Sequence, residues 1–368
     1  MENENAFKHL INENVVRKIA LGIAKVDPGF KKSSFLKSIK ELSPLELKAR
    51  VLLITQHLKL HLDHDYPSSL KILMKVMEEE DMSGFELWPF SEYISQFGLD
   101  HFDESMKAMY QLTQRFTAEF AIRPYLQKNH RKVLKYFEKW VKDKNVHIRR
   151  WISEGTRPLL PWGQKLPLFI MDPTHTLLLL EKLKLDEELY VRKSVANHLN
   201  DISKNHPQVV IEILRMWSKD VSKSDEDKIN WIKRHALRTL IKKGHPGALK
   251  LMGANENVSI KLTKFRTDKK RYELNDTLHF QIDLKSTSKQ PQKLIIDYSI
   301  DFIKANGKKG KKVFKLKTAE LKKDEELSIV KKHSLKPITT MKYYSGTHHL
   351  AIQVNGKILG EIDFFLEV

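Results

Sequence analysis

The chain has 368 residues, 65 Lys and Arg against 46 Asp and Glu, a formal net charge of +19 and no cysteine. Hydrophobic residues at 41% and charged residues at 30% are globular values, which excludes wholesale disorder and collagen-like structure, and the length suits two domains. Zero cysteine excludes disulfides, thiolate zinc sites, iron–sulfur clusters and cysteine nucleophiles together. From the N-terminus, MENENAFKHLINENVV is acidic and polar, unlike a signal peptide, and no apolar run reaches the length of about 18 residues that spans a bilayer. A soluble, intracellular protein is expected.

Up to about Gly253 the pattern is helical, with apolar residues at three- and four-residue spacing, as in Leu47, Val51, Ile54 and Leu58. His57, His61 and His64, with Asp63 and Asp65, form the single cluster with metal-ligand chemistry. They lack an HExxH order and sit at a helix end, so no metal is expected. Further on, Ile148-Arg149-Arg150, Val191-Arg192-Lys193 and Ile232-Lys233-Arg234 each open a helix at a spacing typical of HEAT-type helix pairs, about 40–47 residues. Met106-Lys107-Ala108 is a weaker copy. A second helix with proline in its first turn follows each opener, at Pro173, Pro207 and Pro246. Such pairs bury their apolar faces against their neighbours, which predicts an α-solenoid over residues 1–254.

One stretch interrupts the repeat. Prolines 158, 161 and 167 stop the helix after Ser153 and force an extended excursion to Pro173, which is either a plain connection or a binding-face insertion. Beyond Asn255 short alternating runs replace the helices, about seven strands with Asn306-Gly307 and Asn355-Gly356 as hairpin turns. They predict an immunoglobulin-like antiparallel β-sandwich over residues 255–368. Both parts are basic, net +10 before Asn255 and +9 from there on. Such excess suits a polyanion, although lysine-rich surfaces also occur without one.

Three carboxylates stand out when positions are counted from the residues that open the repeats. Glu119 is 11 residues beyond Ala108, Glu154 is 4 beyond Arg150 and Asp201 is 8 beyond Lys193. On continuous helices they fall at roughly 20°, 40° and 80°, which places all three on one shared face. Either they pair with the neighbouring arginines, as Arg150 and Glu154 can at i,i+4, or they serve a cationic target. Trp162, on the Pro/Gly excursion, either stacks on a base or folds back on the core. Gly307 to Lys312 lacks the Walker A order, and no GxSxG or Rossmann fingerprint is present, so no nucleotide cofactor is expected.

Three segments carry a resemblance: TQRFTAEFAIRP at 113–124, SEGTRPLLPW at 153–162 and VRKSVANHLND at 191–201. They resemble, in order, motifs of the AlkC family of bacterial alkylpurine DNA glycosylases, which are HEAT-like proteins, some with a C-terminal immunoglobulin-like domain. The likeness spans the whole chain in architecture and about residues 85–250 in motif. Leu159 stands where the family motif often has a second arginine.

The resemblance implies a monofunctional DNA glycosylase that excises cationic 3-methyladenine and 3-methylcytosine from duplex DNA without deep-pocket base flipping. It implies that Glu119, Glu154 and Asp201 line the active site, with Asp201 orienting water, and that Trp162 packs against the damaged nucleotide. Arg149, Arg150, Arg157, Arg192 and Lys233 are the expected phosphate contacts, and Arg123 holds either Glu119 or the chain. The expected partner is damaged double-stranded DNA, with no cofactor, metal or membrane, acting as a monomer in the cytoplasm at the nucleoid. The competing reading is a non-catalytic HEAT-repeat protein that binds nucleic acid or serves as a scaffold.

Overall fold

A computed structural model describes residues 7–39, 42–338 and 341–368; the first six residues of the N-terminal stretch lie outside it. The helices are α1 (Glu13–Val26), α2 (Lys32–Ser38), α3 (Leu47–His61), α4 (Tyr66–Glu79), α5 (Trp88–Phe97), α6 (Phe102–Thr113), α7 (Ile122–Trp140) and α8 (Val146–Gly155). After these come α9 (Pro167–Met171), α10 (Thr174–Leu183), α11 (Leu189–Ile202), α12 (Pro207–Lys219), α13 (Glu226–Ala236), α14 (Arg238–Lys242) and α15 (Pro246–Leu251). Among the described residues no helix is long and apolar enough to cross a membrane.

The repeat is visible in the helix boundaries. The first two basic motifs lie near the starts of α8 and α11, the third falls in the last turn of α13 and does not open it, and Pro173, Pro207 and Pro246 stand at the starts of α10, α12 and α15. Local chemistry sets the starts. Asn145 caps α8 by accepting from the His147 N–H at 2.8 Å, and Asp65 caps α4 by accepting from the Ser68 N–H at 2.8 Å. His64 pairs with Asp27 at 2.9 Å, which absorbs two of the polar groups around the histidine-rich helix end.

The sandwich is built from β1 (Ile260–Thr267), β2 (Arg271–Glu273), β3 (Thr277–Ser286), β4 (Gln292–Ile303), β5 (Lys309–Leu321), β6 (Glu326–Ser334), β7 (Gly346–Val354) and β8 (Lys357–Glu367). One sheet has the order β1-β3-β6, the other β2-β8-β7-β4-β5. Seven of these strands match the alternating runs. The eighth, β2, has three residues and pairs parallel with β8, too short to carry a period-2 signal. Alternate residues of both sheets, among them Phe280, Ile296, Tyr298, Leu350 and Phe364, fill the interlayer core.

The chain forms two compact units that do not follow the helix–sheet boundary. The first comprises residues 1–205 and 222–235, the second 206–221 and 236–368. Helices α12, α14 and α15 therefore belong with the sandwich. Within that unit Leu249 and Ala254 bury against Ile295, and Gln353 donates to the Lys242 carbonyl at 3.1 Å. The backbones of Gly244 and Gly356 meet so closely that a Cβ on Gly356 would lie 2.1 Å from the Gly244 Cα.

Candidate active site

Helices α8 and α11 pack side by side and bring Glu154 and Asp201 together, both buried. Glu119 arrives by another route. Helix α6 ends at Thr113, so Glu119 lies in the turn before α7 and the helical angle counted from Ala108 does not apply to it. The turn nevertheless delivers its carboxylate to α8.

The six side chains form an alternating chain of acid and base. Glu119 pairs with Arg150, Arg150 with Glu154 at 3.5 Å, Glu154 with Arg157 at 2.6 Å, Arg157 with Asp201 at 2.9 Å, and Asp201 with Lys204 at 3.0 Å. Hydroxyls complete it: Ser194 donates to Glu154 at 2.6 Å and Thr117 to Glu119 at 3.0 Å. Alternation matters because a carboxylate withdrawn from water stays ionised only where opposite charge and donors replace its hydration. Burial pushes the Arg157 guanidinium down, yet Glu154 and Asp201 push it up further, and it ends above its ordinary value. Arg150 behaves in the same way between Glu119 and Glu154.

A fully buried histidine braces this chain. His198 Nδ1 donates to the Ser153 carbonyl at 3.0 Å, and burial, reinforced by Arg157, pushes its pKa down to about 3. The ring is therefore neutral throughout the physiological range.

Arg123 holds the chain and not Glu119. Its guanidinium is buried and donates to the carbonyls of Gly155 at 3.1 Å, Arg157 at 3.0 Å and Gln164. Those three carbonyls fix the start and the middle of the excursion. Burial, with Arg157 nearby, pushes the Arg123 pKa down to about 10. Gly163 passes close enough that a Cβ there would sit 3.1 Å from the Arg123 Cδ. The excursion holds Trp162 with φ at 65° and the side chain 68% exposed, so the indole faces solvent and is not part of the core. Beside it opens a cleft of about 590 Å3 whose aromatic walls include Phe7, Trp88 and Phe120.

The expected phosphate contacts divide into distinct groups. Arg149 spends its donors inside the protein, two on Asp186 at 2.6 and 3.0 Å and one on the Asp143 and Lys144 carbonyls. Arg192 likewise donates to the Asp186 and Glu187 carbonyls, and Arg157, only 7% exposed, is taken up by Glu154 and Asp201. Arg157, buried with its donors taken up, cannot also reach a phosphate, whereas Arg149 and Arg192 are half-buried. Arg150, no more exposed than Arg149, is held by Thr117, Glu119 and Glu154 beneath the ring of Tyr190, 5.3 Å from its centroid, and Lys233 is half-buried on α13.

Sequence reasoning missed Ser194, Lys204, Thr117 and His198. Ser194 had a signal, since it precedes Asp201 by seven residues on α11, about 700° of helical rotation and nearly the same face. Lys204 stands at i+3 from Asp201. Thr117 had none, because its role depends on a turn.

Comparison with known proteins gives two domain matches. The model of the family "DNA alkylation repair enzyme" matches residues 114–240, and that of "Uncharacterised protein YhaZ, C-terminal Ig-like domain" matches residues 261–368. The uncharacterized protein YhaZ of Bacillus subtilis (strain 168) is 38% identical over 360 residues, 97% of this chain and 98% of that one. The Pseudomonas fluorescens alkylpurine DNA glycosylase AlkC, solved bound to DNA containing an abasic site analog, is similar with a TM-score of 0.90 and 36% identity. That likeness covers 99% of this chain and 100% of the other.

Proposed function

Because the chain belongs to the AlkC family of DNA alkylation repair enzymes, we propose that it is a monofunctional glycosylase that hydrolyses the N-glycosidic bond of cationic alkylated bases, 3-methyladenine and 3-methylcytosine, in duplex DNA. The observation that carries this reading is the alternating chain from Glu119 to Lys204, which holds three carboxylates in fixed positions against cations.

An alkylated base that already carries positive charge is a good leaving group and needs little help from a general acid. What remains is to stabilise an oxocarbenium-like sugar and to place a water, and carboxylates do both. Asp201 orients the water. Its Oδ2 is fixed by Arg157, while its Oδ1 is held by Lys204, whose side chain is 40% exposed and free to move toward a DNA phosphate. Glu119 and Glu154 supply negative field. Trp162 packs against the damaged nucleotide, which is reached without flipping into a deep pocket (contrast). Lys233 meets backbone phosphates, and Arg149, Arg150, Arg157 and Arg192 hold the helices and carboxylates that carry the chemistry. No cofactor takes part, and the protein acts as a monomer in the cytoplasm.

Dimethyl-sulfate-treated duplex DNA, incubated with the protein and analysed by mass spectrometry for released bases, tests this. Release of 3-methyladenine or 3-methylcytosine that Asp201→Asn abolishes is the expected result. One observation favours a second reading: each carboxylate is matched by a cation, as it would be in a purely structural network. Folded protein that binds the DNA and releases nothing establishes that non-catalytic reading.

A further inference from the structure

The cleft of about 590 Å3 beside Trp162 differs in chemistry from the carboxylates next to it. Its apolar walls are Phe7, Leu47, Trp88, Phe120 and Trp162, with Trp88 and Phe120 stacked at 5.6 Å between ring centroids and 15° between planes. Two lysines and two glutamates also line it, a net formal charge of zero, and Lys8 and Glu46 among them pair at 3.2 Å. Glu119, Glu154 and Asp201 do not line it.

Cleft and carboxylates are nonetheless joined. Phe120 directly follows Glu119, so their Cα atoms lie about 3.8 Å apart, and the two side chains diverge, one to Trp88 and the other to Arg150. Arg123 also binds the carbonyl of Gln164, a lining residue, and the carbonyl of Arg157, which holds Asp201. One buried guanidinium therefore fixes the cleft relative to the acid–base chain.

We propose that this cleft is a product site, which takes the neutral, planar nucleobase released by glycosidic cleavage. The inference rests on the glycosylase reading above. As the C1′–N bond breaks, its electron pair remains on the base nitrogen. The base leaves neutral, and the positive charge passes to the sugar. A water oxygen then bonds to C1′, and its proton passes to Asp201. Carboxylates attract the cationic base before cleavage and lose that attraction once it is neutral. The cleft, lined by as many lysines as glutamates, holds a ring without that attraction: a flat base stacks on its aromatic walls after its charge is gone. Transfer into the cleft also removes the nitrogen lone pair from the electrophilic carbon it would otherwise attack again.

The test uses the full-length protein and free 3-methyladenine, followed by tryptophan fluorescence and by product inhibition of excision. The free base is expected to bind saturably. Phe120→Ala should weaken it about tenfold, the scale of one lost base–aromatic stack, and leave single-turnover excision within about twofold. Because Phe120 supports Trp88, Leu47→Asn at the start of α3, a half-buried position outside the buried core, serves as a second variant. Absence of binding by the wild type, or equal binding by both variants, overturns the proposal. A loss of duplex affinity that parallels the loss of free-base affinity also overturns it, since the cleft would then hold a base still in DNA. Phe120-dependent binding of the free base without any excision refutes the glycosylase reading and with it the product assignment, and so separates the two failures.

Discussion

Arg157 and Asp201 are 44 positions apart in the chain, yet the Arg157 Nε donates to the Asp201 Oδ2 at 2.9 Å with both side chains buried. The same guanidinium reaches Glu154 at 2.6 Å, so one cation ties α8 to α11 through two carboxylates. Removal of one partner from such a group leaves uncompensated charge out of water, which costs far more than the pair itself contributes. Arg157→Met is expected to destabilise the first unit by about 3–5 kcal/mol, measured by urea unfolding. A loss below about 1 kcal/mol, the level of a surface pair, would mean that solvent reaches these carboxylates.

The carboxylates should separate by kinetics. Asp201→Asn keeps shape but removes the charge that places water and one of the two acceptors that Arg157 and Lys204 use, so single-turnover excision should fall by about 10²–10⁴. Duplex binding should stay close to that of the wild type. Glu119→Gln, at the far end of the acid–base chain, should cost less. Equal losses in both variants would assign the effect to a shared field and not to a water-orienting group.

His198 predicts an acid-sensitive stability. Its pKa falls from an ordinary 6.5 to about 3 on folding, so between those values the unfolded chain binds the extra proton. Stability is therefore full above pH 6.5 and declines as pH falls through that window, at up to about 1.4 kcal/mol per pH unit. His198→Gln, which retains a donor for the Ser153 carbonyl, should flatten this part of the profile. Parallel profiles for the two proteins would show that His198 does not titrate on unfolding.

Two glycines with similar backbone angles should respond differently to alanine. Gly356, at φ 80°, faces the Gly244 backbone at a distance no Cβ can occupy, whereas Gly307, at φ 73°, has nothing within 4 Å. Gly307→Ala pays only the left-handed conformational penalty, about 1 kcal/mol. Gly356→Ala adds a backbone clash and should lose about 3 kcal/mol or more. Equal melting temperatures for the two variants would contradict the close approach.

Much of this molecule could be read before its structure. Proline at helix starts and the change from period 3.6 to period 2 near residue 255 located α10, α12, α15 and seven of the eight strands. Glu154 and Asp201 were legible because both lie on regular helices, where spacing gives direction. Glu119 was reached by extending a helix that stops at Thr113; angular counting has no meaning across a turn. The roles of Arg149 and Arg192 were hidden for another reason. Each depends on Asp186 and its neighbours, and no local pattern indicates which acidic group a long side chain will meet. The cleft was equally invisible, because Phe7, Leu47, Trp88, Phe120 and Trp162 belong to distant segments.

The strand–helix boundary near residue 255 invites dissection at that point, but the polypeptide passes between its two compact units three times, at residues 205, 221 and 235. A protease that nicks the loop after Gly253 would strip the sandwich of Leu249, which covers Ile295, and of the Lys242 carbonyl that accepts from Gln353. Neither fragment would be a natural folding unit, so limited digestion there should yield aggregation-prone pieces and not two stable halves.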